Sequence, residues 1–175
     1  MGSAVHYAFD RGHDDRSALP YLEDACKDLE LTDPDLIEKA RTLCVICEQW
    51  GWWDGVDDLD VCIPEKEFLI DIGEGVKLKG FMDRIDIKNG SARILDIKTQ
   101  AKKITADKLR NNVQADIYNI AARKVYPEIK GLLRFEFWTL RHEIQAITKT
   151  SENAEDSERE LREQGVHILS WPQEK

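Results

Sequence analysis

The sequence predicts an α/β domain, a mixed β-sheet flanked by helices, and three features of its patterning predict it. Strand-like runs at 62–72, 76–87 and 92–98 follow one another through Gly73-Glu74-Gly75 and Asn89-Gly90, turn signals that make an antiparallel meander. A helical run precedes them. Another, at 105–125, follows, and the chain then turns strand-like again.

Along the chain, His6 opens a polar, charge-rich stretch with Gly12 and Pro20. Thr32 or Asp33 can then cap a helix, and Pro34 suits its first turn. Leu36, Ile37, Ala40, Leu43, Cys44 and Cys47 fall on one face of it. Trp50, Trp52 and Trp53 come next, then an acidic loop and the meander. In the run 105–125, Leu109, Val113, Ile117, Ile120 and Ala121 form the side expected to be buried, and Tyr126-Pro127 ends it. Strands are expected at 132–140 and 143–148, a solvent-exposed polar helix at 151–164 and a short last strand at 166–171. The whole reads as one domain, 1–175: a helical part to about residue 60, a core over about 61–150, and a polar helix and tail over 151–175.

The chain has 175 residues, 42% hydrophobic and 34% charged, which describes a globular protein with a real core. No run approaches the ~20 apolar residues of a membrane span, and no basic, apolar-core leader stands at the N-terminus. A cytoplasmic protein is expected, with no membrane partner. The net charge of −9 is unevenly spread. Residues 1–76 carry 6 Lys/Arg against 19 Asp/Glu, whereas residues 77–110 carry 10 against 4. A basic strip can bind phosphate whatever the total charge, because screening limits distant charge to about 8 Å. Lys77, Lys79, Lys88 and Arg93 belong to it, and Lys102, Lys103, Lys108 and Arg110 are the chosen DNA contacts. The competing reading is a solvated strand edge whose lysines prevent aggregation.

That basic segment holds the chemistry. Asp96 and Lys98, two apart on a strand otherwise built for burial, project to one face. Asp83 lies on the preceding strand. Two carboxylates and an ammonium on one patch can hold a hard divalent cation with a water beside it. The plainer alternative is an exposed Asp96–Lys98 pair on an edge strand.

Gly80-x-x-Asp83-Arg84-x-Asp86, Asp96-x-Lys98-Thr99 and Gln114-x-x-x-Tyr118, with Gly2-x-x-x-His6 before them, resemble the RecB-like branch of the PD-(D/E)xK nuclease superfamily. The resemblance runs from His6 to Tyr118 and more loosely through about residue 140. It implies a restriction-endonuclease-like core and a single-domain, phage-type metal-dependent DNA exonuclease, from a bacterial or phage-infected cell, working in processing or recombination. Asp83, Asp96 and the carbonyl of Ile97 would hold Mg²⁺ or Mn²⁺, with His6 adding a nitrogen that favours Mn²⁺. Lys98 would orient water or steady charge on the phosphate. Gln114 would reach a phosphate, base or metal-bound water, and Tyr118 would hydrogen-bond or stack. Glu67, rather than Glu65, would support the site from the first strand, and Arg84 with Asp86 would form a supporting pair on the face opposite Asp83.

Several relatives hold an iron–sulfur cluster through one Cys before the histidine motif and three near the C-terminus. Cys26, Cys44, Cys47 and Cys62 do not follow that arrangement, and no cluster or disulfide is expected. Alternatives to the exonuclease are a structure-selective endonuclease, a catalytically silent DNA-binding module and a structural subunit of a recombination complex. Other recombination or replication proteins are candidate partners, and an oligomer is open.

Overall fold

The computed structural model describes residues 1–163. A five-stranded sheet runs in the order β1-β2-β3-β4-β5. β1 (Val61–Gly73), β2 (Val76–Lys88) and β3 (Ser91–Lys98) form the antiparallel meander. The chain then crosses over through α4 (Ala106–Arg110) and α5 (Val113–Val125), so β4 (Leu133–Thr139) lies parallel to β3. β5 (Glu143–Lys149) returns antiparallel to β4. Helices α1 (Gly2–Arg11), α2 (Leu19–Asp28) and α3 (Pro34–Gln49) pack together, and α6 (Ser151–Glu163) lies beside α5. This is the expected mixed sheet flanked by helices, a restriction-endonuclease-like α/β fold.

Two apolar cores divide at the sheet. One joins the β1–β2 hairpin, α5 and α6. The other joins α1, α2 and α3 to Leu95 and Ile97 of β3 and to Trp138 of β4. β3 is therefore buried on both sides: Ala92 and Ile94 enter the first core, Leu95 and Ile97 the second. Asp96 and Lys98 continue the Ala92–Ile94 side, toward α5.

Several expectations change. The stretch after His6 is helical, because Ala4, Val5, Ala8 and Phe9 in α1 and Leu22, Ala25 and Cys26 in α2 form buried faces amid many charges. The run 105–125 is two helices: Asn111 ends α4, and the Asn112 side chain accepts from Ala115 N, starting α5 afresh. The break turns Val113 outward, 49% exposed, instead of into the core. α6 is docked through buried Ala154 and Leu161 instead of standing in solvent. The strand expected at 166–171 lies outside the described residues.

The hairpin changes face midway. In β2, Val76, Leu78 and Met82 enter the first core at even positions, then Ile85 and Ile87 at odd ones. β1 does the same, with Val61 and Ile63 followed by Phe68, Ile70 and Ile72. The pairs Pro64↔Arg84 and Lys66↔Met82 bracket the switch, so Glu65 stands opposite Asp83 at its centre. Glu65 takes φ +42°, the left-handed region that costs a side-chain-bearing residue ~1–2 kcal/mol.

Candidate active site

The site opens where β2 and β3 part. Their ladder runs from Lys88↔Ser91 to Arg84↔Leu95 and stops. Beyond it the Asp83 carboxylate takes the place of a backbone acceptor, its Oδ2 receiving the Ile97 N–H at 2.6 Å. The other oxygen, Oδ1, lies 3.1 Å from Nδ1 of His6, which α1 brings over the gap. Glu65 completes the group from β1. Ligand atoms of His6, Glu65 and Asp83 all lie within 4.8 Å of one another.

Asp96 stands beside this trio and faces α5. Its Oδ1 accepts from Gln114 Nε2 at 2.9 Å. Its Oδ2 lies 2.7 Å from Lys98 Nζ, a short, charge-assisted contact. Lys98 donates to Gln114 Oε1 at 3.0 Å. One amide thus grips both members of the Asp96–Lys98 pair. Gln114 Nε2 also donates to the Tyr118 hydroxyl at 3.0 Å, and that hydroxyl donates to the Phe81 carbonyl of β2.

The charges show what the site lacks. Burial works against a proton on His6, but Asp83, Asp96 and Glu65 outweigh it and lift its pKa to about 9. Burial raises Asp96 to about 6, Lys98 opposing and Asp83 assisting. Burial also works against the Lys98 charge, yet Asp96 and Asp83 hold its proton more tightly than usual. Carboxylates that retain protons this far up the pH scale, directly or through a neighbouring imidazole, have too little positive charge among them.

Of the residues singled out in the sequence, His6, Asp83, Asp96, Lys98, Gln114 and Tyr118 gather here. Their grouping differs from the expected one. The compact trio includes Glu65 and leaves Asp96 to Lys98 and Gln114. Glu67, the strand residue preferred over it, is half-exposed and pairs with Lys79 at 3.0 Å, because the face switch turns it outward. A register shift between Asp71 and Gly73, beside the turn, and the change of face at Glu65 hide its place opposite Asp83 from a count along the sequence. Tyr118 is buried between Phe68 and Phe135, ring centroids 5.8 and 5.5 Å away, so its ring has no face to offer a base. Its hydroxyl serves as a tether.

Arg84 and Asp86 form the expected supporting pair at 2.7 and 2.8 Å. Arg84 also donates to the Trp52 carbonyl and lies over that ring, tying the end of α3 to β2. Arg93 of the basic strip is spent on Asp86 as well, at 2.7 Å. Among the chosen DNA contacts, Lys103 pairs with Glu143 and Arg110 with Asp107, each at 2.7 Å and exposed, while Lys102 and Lys108 stand in solvent. Cys26, Cys44 and Cys47 lie in the core of the α1–α3 layer, and burial pushes the Cys44 thiol up to about 12.

The sequence profile of the PD-(D/E)XK nuclease superfamily matches residues 1–172. A search of curated proteins by sequence returned no match. Among solved structures, a Eubacterium rectale protein provisionally described as an exonuclease superposes with a TM-score of 0.55 at 15% identity, over 97% of this chain and 66% of its own. This chain therefore spans just under two thirds of that protein. A second structure, SSO0001, gives 0.45 at 16% identity over 98% of this chain and 74% of its own. The match along nearly the whole sequence shows that the chain belongs to the PD-(D/E)XK nuclease superfamily.

Proposed function

We propose that this nuclease-family chain is a divalent-metal-dependent deoxyribonuclease, acting as an exonuclease on DNA in processing or recombination, with Mg²⁺ or Mn²⁺ as its metal. The observation that carries the reading is the gathering of His6, Glu65 and Asp83 within 4.8 Å, beside a buried Asp96–Lys98 pair. Two carboxylates and an imidazole are a donor set for a hard or borderline divalent ion, and the nitrogen favours Mn²⁺. The fit is electrostatic too, because the proton held on His6 stands where a cation would relieve the same repulsion. When bound, the metal would polarise a phosphate oxygen and lower the pKa of a water.

The residues then divide the work. Asp83, Glu65 and His6 would hold the ion, His6 giving up its proton to do so. Asp96 would add Oδ2, the oxygen that the Lys98 ammonium contacts. The Ile97 carbonyl faces the same strand gap as its N–H, since both backbone groups of a strand residue address one neighbour. Lys98 keeps its proton at neutral pH. It would serve as a positive charge toward a phosphate. Gln114 keeps Asp96 and Lys98 in register, and Tyr118 keeps Gln114 in place. Lys102, Lys103, Lys108 and Arg110 would meet the DNA backbone, where their exposed ion pairs are cheap to exchange for phosphate.

Labelled linear and closed circular DNA, incubated with Mn²⁺, Mg²⁺ or chelator, test the reading. Metal-dependent loss of the linear substrate alone is the expected result. Cutting of the circle would favour the structure-selective endonuclease. Metal uptake with neither substrate cut would favour a silent DNA-binding or structural subunit, against which the presence of Asp83, Asp96 and Lys98 together speaks.

A further inference from the structure

Gly2 and His6 are one turn apart on the same face of α1. A Cβ built at Gly2 would fall 2.8 Å from Thr99 Oγ1 and 4.0 Å from Thr99 Cβ. The first distance is too short for any real side chain, while the second is ordinary contact. Thr99 directly follows Lys98, and its branched side chain has a stiff χ1 that resists swinging aside. α1 thus approaches the end of β3 as closely as a residue without a side chain allows. The helix has no easy way to absorb a push, since Ala4, Val5 and Ala8 on its inner face are wholly buried and close-packed. His6 has little slack either, with Nδ1 3.1 Å from Asp83 Oδ1.

We propose that Gly2 is a positioning residue: its close approach to Thr99 sets how far α1 stands from the catalytic strand, and so where the His6 imidazole meets Asp83 and Glu65. The inference rests on the metal-site reading above and goes beyond it, because it makes two segments 97 residues apart in sequence one gauge for the site. Any side chain at position 2 moves the helix, and the helix carries the ligand.

The arrangement offers a compensation test. Gly2→Ala should weaken Mn²⁺ binding by about tenfold, the lower end of what misplacing a metal ligand costs. Thr99→Ala alone should bind near the wild-type level. The double variant should recover, because removing Oγ1 leaves only the 4.0 Å contact. Calorimetric titration of the metal-free proteins reads this without reference to cleavage. Gly2→Ala binding like wild type, or a double variant no better than Gly2→Ala, would overturn the inference. Melting temperatures of the four metal-free proteins separate the two levels of the argument. If wild type takes up no Mn²⁺, the metal reading fails. The close approach is then upheld by a melting temperature that falls in Gly2→Ala and returns in the double variant, and overturned by losses that simply add.

Discussion

Asp83 and Asp86 lie three residues apart on one strand and have opposite fates. Asp86 is buried, and two guanidiniums saturate it, Arg84 at 2.7 and 2.8 Å and Arg93 at 3.1 and 2.7 Å. Among the described residues, Asp83 meets no guanidinium. It has one backbone N–H and an imidazole, and it faces two further carboxylates, Glu65 and Asp96. A buried carboxylate with its charge matched is part of the frame. One left with unmatched negative charge and poised lone pairs is a place for a cation.

The sharpest way to break that comparison is to neutralise each in turn. Asp86→Ala should cost ~3–5 kcal/mol, because it leaves Arg84 buried and unpaired. For a chain of this length that lowers the melting temperature by about 6–20 °C. Asp83→Asn should abolish metal-stimulated cleavage and lower the stability of the metal-free protein at neutral pH, because it takes from His6 the carboxylate that holds its proton. Thermal melts beside cleavage assays check both. A stable Asp86→Ala protein, or an active Asp83→Asn one, would show that the two carboxylates are not divided in this way.

Lys98→Ala sharpens the division within the site. The ammonium pairs with Asp96 and Gln114 and lies outside the trio, so Mn²⁺ affinity should hold while turnover falls ~10²–10³-fold. Single-turnover cleavage at saturating metal, with calorimetry for affinity, separates these. Loss of affinity equal to the loss of rate would make Lys98 part of the metal-holding group.

The excess negative charge also sets a pH dependence for the metal-free protein. The folded state keeps a proton on Asp96 up to about 6, whereas an unfolded chain releases it near 3.8. It keeps one on His6 up to about 9, against 6.5 unfolded. Across both windows the folded state binds more protons than the unfolded, so stability falls as pH rises from about 4 to about 9. Mn²⁺ binds the deprotonated site and should restore what is lost. At 100-fold excess over its dissociation constant it adds ~2.7 kcal/mol, about 5–11 °C in melting temperature. The gain should be larger at pH 9 than at pH 5. An equal gain at both would place the metal away from His6.

The same contrast explains what the sequence disclosed. Asp83, Asp96 and Lys98 were legible because polar residues interrupt runs that otherwise alternate for burial, and the strand period gives their faces. The Arg84–Asp86 pair was legible for the same reason. Glu65 was not, because a strict period of two puts it with Glu67. Only the left-handed turn at Glu65 separates them, and that turn has no glycine to announce it. Helices α1 and α2 escaped because each is only ten residues long and its few buried residues stand amid many charges. The division of 105–125 was written in Asn111-Asn112, a pair suited to ending one helix and capping the next, beneath an apolar pattern that runs on through it.

Glu65 gives the smallest expected effect and the finest distinction. It combines a left-handed backbone with a charge that helps to hold the His6 proton, and two substitutions separate these. Glu65→Gln removes the charge and keeps the strain. Glu65→Gly removes both. A glycine at φ +42° relieves ~1–2 kcal/mol of left-handed strain and gives back ~0.5–1 kcal/mol in unfolded-chain entropy. A net gain of up to about 1.5 kcal/mol beyond Glu65→Gln should remain, up to about 6 °C and nearly independent of pH. Both variants should bind Mn²⁺ more weakly than wild type. A side chain kept at a left-handed position beside two other potential ligands is what a ligand held in place by the fold looks like. If Glu65→Gly melts no higher than Glu65→Gln, the left-handed turn is not strained. If either binds Mn²⁺ as wild type does, Glu65 is not one of the metal's ligands.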